Sequence, residues 1–117
     1  MQTTYTVFRV DGTSTDYTVD LPEDPGYDRI KGLVQPLISS LTLSGPYSWF
    51  EHVTVLFRDE RCDMFVDEHG LSKQLPRNDA ATVVYRNNWL TRYPEKDPEL
   101  LPSIRGDAVL FHRRIWF

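Results

Sequence analysis

Residues 49–67 read Trp49-Phe50-Glu51-His52-Val53-Thr54-Val55-Leu56-Phe57-Arg58-Asp59-Glu60-Arg61-Cys62-Asp63-Met64-Phe65-Val66-Asp67. From Trp49 to Arg58 the stretch is dense in aromatic and β-branched residues, and Val53, Val55 and Phe57 fall on one face at a period of two. The polar step Asp59-Glu60-Arg61 separates this run from Asp63 to Asp67, whose apolar centre is Met64-Phe65-Val66. Two such runs joined by a polar turn make a β-hairpin, and the longer first arm is expected at the centre of a sheet. A sheet with apolar faces needs helices or further strands to cover it, so the flanking sequence is read for those elements.

On the N-terminal side, Ser44-Gly45-Pro46 closes a helical pattern in which Tyr27, Ile30, Val34, Leu37, Ile38 and Leu41 recur at three- and four-residue steps. Asp24 before Pro25 suits an N-cap followed by proline at the first helical position. Pro36 removes a ladder hydrogen bond and presses on the preceding turn, so the helix is expected to kink or stop there. Further back, Tyr5 to Val10 and Tyr17 to Leu21 flank Asp11-Gly12 and predict a second hairpin.

On the C-terminal side, Gly70 ends the arm and Asn78 suits the cap of a short helix through Ala80, Ala81, Val83 and Val84. Thr82 to Tyr85 contains enough β-formers to support a strand instead. Pro94, Pro98 and Pro102 make Tyr93 to Pro102 a surface loop. After Gly106-Asp107, the run to Phe117 alternates Val109, Phe111, Arg113 and Ile115 against Ala108, Leu110, His112 and Arg114, and predicts a last strand. The resulting expectation is one α+β domain over 1–117: a two-layer arrangement of a mainly antiparallel sheet of about five strands, a kinked helix and a shorter second helix.

Composition bounds the function classes. With 117 residues, of which 40% are apolar, the chain can build one modest core. A net charge of −4 and a pI near 5.3 do not recruit nucleic acid or an anionic membrane through the global field. One cysteine forms no internal disulfide, and the start MQTTYTVFRV lacks the pattern of a signal peptide, so the cytoplasm is the expected compartment. No membrane association is expected. Lys31, Lys73 and Lys96 are the only lysines, and the arginine excess favours planar, bidentate contacts.

Three pieces of the chain resemble an uncharacterised family found largely in phage, plasmid and bacterial genomes, the domain-of-unknown-function family DUF3846. The first is Gly26-Tyr27-Asp28-Arg29-Ile30-Lys31-Gly32-Leu33-Val34. The second and most distinctive is Phe65-Val66-Asp67-Glu68-His69-Gly70-Leu71, followed by Leu75-Pro76-Arg77-Asn78 and Ala81-Thr82. The third is Ile104-Arg105-Gly106-Asp107-Ala108-Val109-Leu110. The N-terminal hairpin departs from the family pattern, and the proline loop is longer than in it. The resemblance implies an α+β fold and a mobile-element setting, and it transfers no catalytic residue.

The chemistry-bearing side chains form no established motif. His52, beside Glu51, and His112 could converge if their strands are neighbours, but a zinc site needs a fuller ligand set, so solvent-facing histidines are expected and no metal. Cys62 would need a base such as His52 or His69, or the Arg61 charge, to become a nucleophile; an inert hairpin cysteine is expected. The acidic groups Asp59, Glu60, Asp63, Asp67 and Glu68 lack the spacing of a calcium loop and read as turn chemistry. No cofactor and no catalytic residue are expected.

Arg105, Arg113, Arg114 and His112 are the basic concentration, with Trp89, Trp116 and Phe117 as planes for stacking. Trp49 and Trp89 lie beside expected loops, and a terminal strand ending Ile115-Trp116-Phe117 is a sticky edge. These observations favour a non-enzymatic interaction protein. Its expected partner is another protein or a second copy of itself, contacted through Trp49, Trp89, Arg105, His112, Arg113, Arg114 and Trp116. The alternatives are a nucleic-acid-binding accessory factor using the C-terminal arginines and aromatics, and a small-ligand binder or enzyme with His52, His112, Arg113 or Cys62 in a cleft.

Overall fold

A computed structural model describes residues 1–41 and 49–117; the expected helix end at Ser44-Gly45-Pro46 lies outside the described residues. In chain order the elements are β1 (Gln2–Phe8), β2 (Ser14–Asp20), α1 (Tyr27–Val34), β3 (Phe50–Phe57), β4 (Glu60–Asp67), α2 (Asp79–Arg92) and β5 (Ala108–Phe111). Short 3-10 turns occupy Gln35–Leu37 and Pro98–Leu100. The five strands form one antiparallel sheet in the order β2-β1-β5-β4-β3. The α+β class, the strand number and the two helices therefore match the expectation.

Both expected hairpins form. The turn joining β3 to β4 contains only Arg58 and Asp59, at φ 53 and 64, the left-handed pair of a type I′ turn. The β1–β2 turn is held by Asp11, whose Oδ1 accepts from the Thr13 backbone N and hydroxyl. These bonds hold the Asp11 carboxyl below its ordinary range. Gly12 supplies the positive φ of 89 that this turn requires.

Strand order corrects two expectations. β3 is an edge strand, not a central one, and the centre is β5, which pairs with β1 on one side and β4 on the other. The physical reason is that β5, Ala-Val-Leu-Phe, is apolar at every position and buried at every position, so it needs cover on both faces and neighbours on both edges. The last strand also stops at Phe111. Past it, His112 N makes a final bond to Thr4 O, and the chain then leaves the sheet. Ile115 becomes fully buried among the core residues and Trp116 packs half-buried against the same cluster, so of the expected sticky edge only Phe117 stays exposed.

The layering is corrected as well. Tyr5, Val7, Phe65, Val109 and Phe111 pack with Leu21, Ile30, Val34, Ile38 and Leu41, which places α1 on one face. Val55, Cys62, Met64, Val66, Ala108 and Leu110 pack with Ala81 and Ile104, which places α2 on the other. The sheet is thus covered on both sides, and α2, at 14 residues, is the longer helix rather than the shorter. The sequence of α2 conceals this because its buried face is small: only Ala81 and Thr82 are fully buried. Its cap is as expected, with Asn78 Oδ1 accepting from Ala81 N at 3.1 Å. α1 begins later than expected, at Tyr27, because Asp24 closes a local turn onto Gly26 N instead of capping the helix. At Pro36 the helix tightens into the 3-10 turn, in agreement with the expected break.

The buried carboxylate of Asp63 joins the tail to the sheet. It is 2% exposed. Its Oδ2 accepts from the backbone N of Ile115 at 2.8 Å and of Trp116 at 2.9 Å, while Oδ1 pairs with His52 Nε2 at 2.6 Å. Arg113 secures the same tail from the opposite side, donating to Thr3 Oγ1 and to the carbonyls of Pro22, Glu23 and Arg114. Removing a buried carboxylate leaves two backbone donors and an imidazole without acceptors, at a cost of about 3–5 kcal/mol. We predict that Asp63→Ala lowers the unfolding free energy by about that amount in urea titrations. Asp63→Asn should lose clearly less, because its amide oxygen still accepts from the tail; equal losses would show that the backbone bonds contribute nothing.

Candidate functional site

A cavity of about 490 Å³ lies where the second half of α2 passes beside the edge strand β3. Residues of α2 at helical spacing, Tyr85, Asn88, Trp89 and Arg92, project along one side. β3 contributes Glu51 to Thr54, and the segment Pro102–Ser103–Ile104 forms the remaining wall. Asn88 fixes the helix to the strand, its Nδ2 donating to Thr54 O at 3.2 Å. The wall segment is fixed from α2: Ile104 N donates to Thr82 Oγ1 at 2.9 Å, and Arg86 Nη2 donates to Leu101 O at 3.0 Å. A second cavity of about 360 Å³ shares Glu51, Pro102, Ser103 and Ile104 with the first and extends it toward Gly70 and Leu71. At Gly70 an added Cβ would lie 2.7 Å from Arg105 O, so only glycine permits this approach of the two chains.

The chemical character of the cleft is aromatic with separated charges. Trp89 and Tyr93 have ring centroids 5.8 Å apart, and the Lys96 ammonium stands 6.0 Å and 5.6 Å from their centroids. Glu51 and Arg92 both line the cavity and are exposed, and among the described residues neither side chain makes a hydrogen bond or ion pair. Volume, aromatic lining and a few polar groups are the usual properties of a binding cleft.

Of the seven residues expected at a partner surface, only Trp89 lies in this cleft. Trp49 is 57% exposed and borders a separate hollow of about 100 Å³ with Tyr27, Lys31 and Phe50. Arg105 donates to Leu75 O and touches only the second cavity. Arg113 is committed to the four bonds that hold the tail. Arg114 is exposed, with its guanidinium 4.7 Å from the Phe117 ring centroid. Trp116 is half-buried and stacked on His52, centroids 5.1 Å apart. The structure thus disperses the basic concentration, because Arg113 is turned into the fold while Arg105 and Arg114 stand at different sites.

The candidate reactive groups do not converge. Cys62 is 1% exposed, and burial, then the charges of Glu60 and Asp63, push its thiol up to about 11, which leaves it protonated and shielded. His52 is committed to Asp63 and is not the solvent-facing histidine expected. His112 Nε2 lies 2.7 Å from Thr6 Oγ1, whose proton goes to Asp16 Oδ1 at 2.6 Å. Here the hydroxyl serves the carboxylate and the imidazole donates to the hydroxyl, the reverse of a nucleophile activated by a base. Among the described residues no cluster of three or more His, Cys, Asp or Glu could hold a metal ion, and no helix is long and apolar enough to cross a membrane.

Arg92, Tyr85, Tyr93 and the 102–104 wall were not identified from the sequence as site residues. The spacing Tyr85, Trp89, Tyr93, every fourth residue, was the available signal, since it places three rings along one helical line. The wall carried none, because its position depends on Thr82 and Arg86 reaching across from α2.

Burial holds His112 below the ordinary histidine range, with Asp16 opposing the shift and Arg58 assisting it. The unfolded chain then binds the proton first as pH falls, so stability present above the ordinary histidine value of about 6.5 is lost below it, levelling once the folded protein also protonates. We predict that His112→Gln flattens the dependence of the denaturation midpoint on pH between neutrality and about 5. An unchanged slope would contradict the shift. Comparisons with protein-family models, with curated proteins and with solved structures give no match to this chain.

Proposed function

We propose that this protein is a non-enzymatic interaction domain that receives an extended peptide segment of a protein partner in the cleft between β3, α2 and residues 102–104. The observation that carries this reading is the adjacency of two cavities that share Glu51 and the 102–104 wall, the first of them lined by Trp89, Tyr85 and Tyr93, which we read as one groove. A groove of this length suits a chain segment better than a compact metabolite. Trp89 is the expected energetic centre, since aromatic anchors dominate recognition of this kind.

Recognition rests on side chains more than on strand addition. The Asn88 side chain occupies the Thr54 carbonyl at the outer edge of β3, so a guest strand cannot pair along its whole length. An enzyme is not favoured, since His52, His112 and Arg113 are separated and individually committed and Cys62 is buried. The mobile-element setting is carried only by the resemblance of residues 26–34, 65–82 and 104–110 to the family named above.

The test is selection of short displayed random peptides on the immobilised domain, followed by affinity measurements with synthetic copies. Trp89→Ala should weaken the selected peptides by about 30-fold, corresponding to about 2 kcal/mol for an anchor residue. Trp49→Ala, whose side chain lines the separate hollow beside Tyr27 and Lys31, should leave them unchanged. Selection of nothing, or equal loss in both variants, would refute the reading.

A further inference from the structure

Glu51 and Arg92 present opposite charges to the same cleft without meeting any partner among the described residues, and they do not pair with each other. Elsewhere the charged residues of the sheet and its flanks are often matched: Asp63 with His52, Asp67 with Lys73, Asp20 with the N-terminal amine. Two unmatched charges of opposite sign in one groove form a polarity that a guest can read.

Their positions follow from the backbone. Glu51 precedes Thr54 by three strand residues, which at about 3.3 Å per residue is on the order of 10 Å. Asn88 is bonded to Thr54 O, and Arg92 follows Asn88 by one helical turn, about 6 Å along the axis. The carboxylate therefore marks the end of the cleft that continues into the second cavity, where Glu68 is another acidic lining residue and the two carboxylates outnumber Arg105, whose guanidinium is bonded to Leu75 O. Arg92 marks the other end, where a further hollow of about 200 Å³ is lined by Arg61 and Arg92 together. Between the ends lie the rings of Tyr85, Trp89 and Tyr93. One end of the groove is thus acidic, the other basic, and the middle aromatic.

Resting on the peptide-binding reading, we infer that the recognised segment is charge-ordered: a lysine or arginine directed at Glu51, an apolar side chain over Trp89, and an aspartate or glutamate directed at Arg92. In an extended guest the charged residues stand about two to four positions apart, since each residue advances about 3.3 Å and the side chains bridge the remainder. This order sets the direction in which the segment lies. A guest of reversed charge order places like charges together at both ends, which costs specificity as well as affinity. Lys96 shows that the rings accept a cation from outside the groove, as its ammonium already stands over Trp89 and Tyr93.

The probes are a synthetic selected peptide and the same peptide with its basic and acidic residues exchanged. The proteins are the wild type and the double variant Glu51→Arg with Arg92→Glu, both substituted positions being exposed. We expect the wild type to prefer the original order by about 10-fold or more and the double variant to prefer the exchanged one, with the preference weakening as salt is raised. If peptides are selected and require Trp89, yet the exchanged peptide binds equally and the double variant changes nothing, charge ordering is overturned while peptide binding stands. If no peptide is selected, both are overturned.

Discussion

The position of a single carboxylate decides how the C-terminal segment is used. Asp63 sits inside β4 with its side chain toward the α1 face, where an unpaired charge would be prohibitive. Its acceptors are filled by the backbone N–H groups of Ile115 and Trp116 and by His52. The requirement operates in both directions: the carboxylate needs the tail for solvation, and the tail needs an acceptor once it has left the sheet. Ile115 is consequently delivered to the α1 core, and Trp116 lies against His52 and Phe65, the latter at 5.7 Å between centroids.

The opposite face is organised by an amide. Asn78 caps α2 through its oxygen, while its nitrogen donates to Phe8 O and Gly106 O, and its own backbone N bonds Ile104 O. One buried side chain thereby registers the helix start against the end of β1 and the approach to β5. From that fixed origin, α2 runs across the sheet and reaches β3 at Asn88. The cleft is the space left where helix, edge strand and the 102–104 segment diverge, and its shape is set at the far end of the helix by Asn78 and Thr82.

Much of the fold was legible because hairpins and caps are local. Arg58-Asp59 between apolar runs, Asp11-Gly12, Pro36 and Asn78 each act through near neighbours, and a single sequence displays them directly. Strand order was not legible in the same way. The four consecutive apolar residues Ala108 to Phe111 were absorbed into a longer alternating pattern ending at Phe117, although alternation describes a one-faced strand and an unbroken apolar run describes a two-faced one. The turn away from the sheet after His112 depends on Asp63, distant in sequence by about half the chain, and periodicity carries no trace of it. The site was legible only in Trp89 and, at the second cavity, Arg105 for the same reason: its other walls are brought together by contacts such as Asn88 to Thr54 and Thr82 to Ile104.

The central place of β5 also sets the order in which this architecture can be assembled. Each hairpin, β1–β2 and β3–β4, closes through neighbouring residues, yet neither touches the other as a ladder partner. A strand that follows all the others along the polypeptide supplies both missing seams at once. Before its arrival the two ribbons carry raw inner margins with unsatisfied amides, open to mispairing with any passing segment. Closure therefore depends on long-range pairing with a large loop entropy to overcome, and the common sheet with both its hydrophobic layers depends on that pairing.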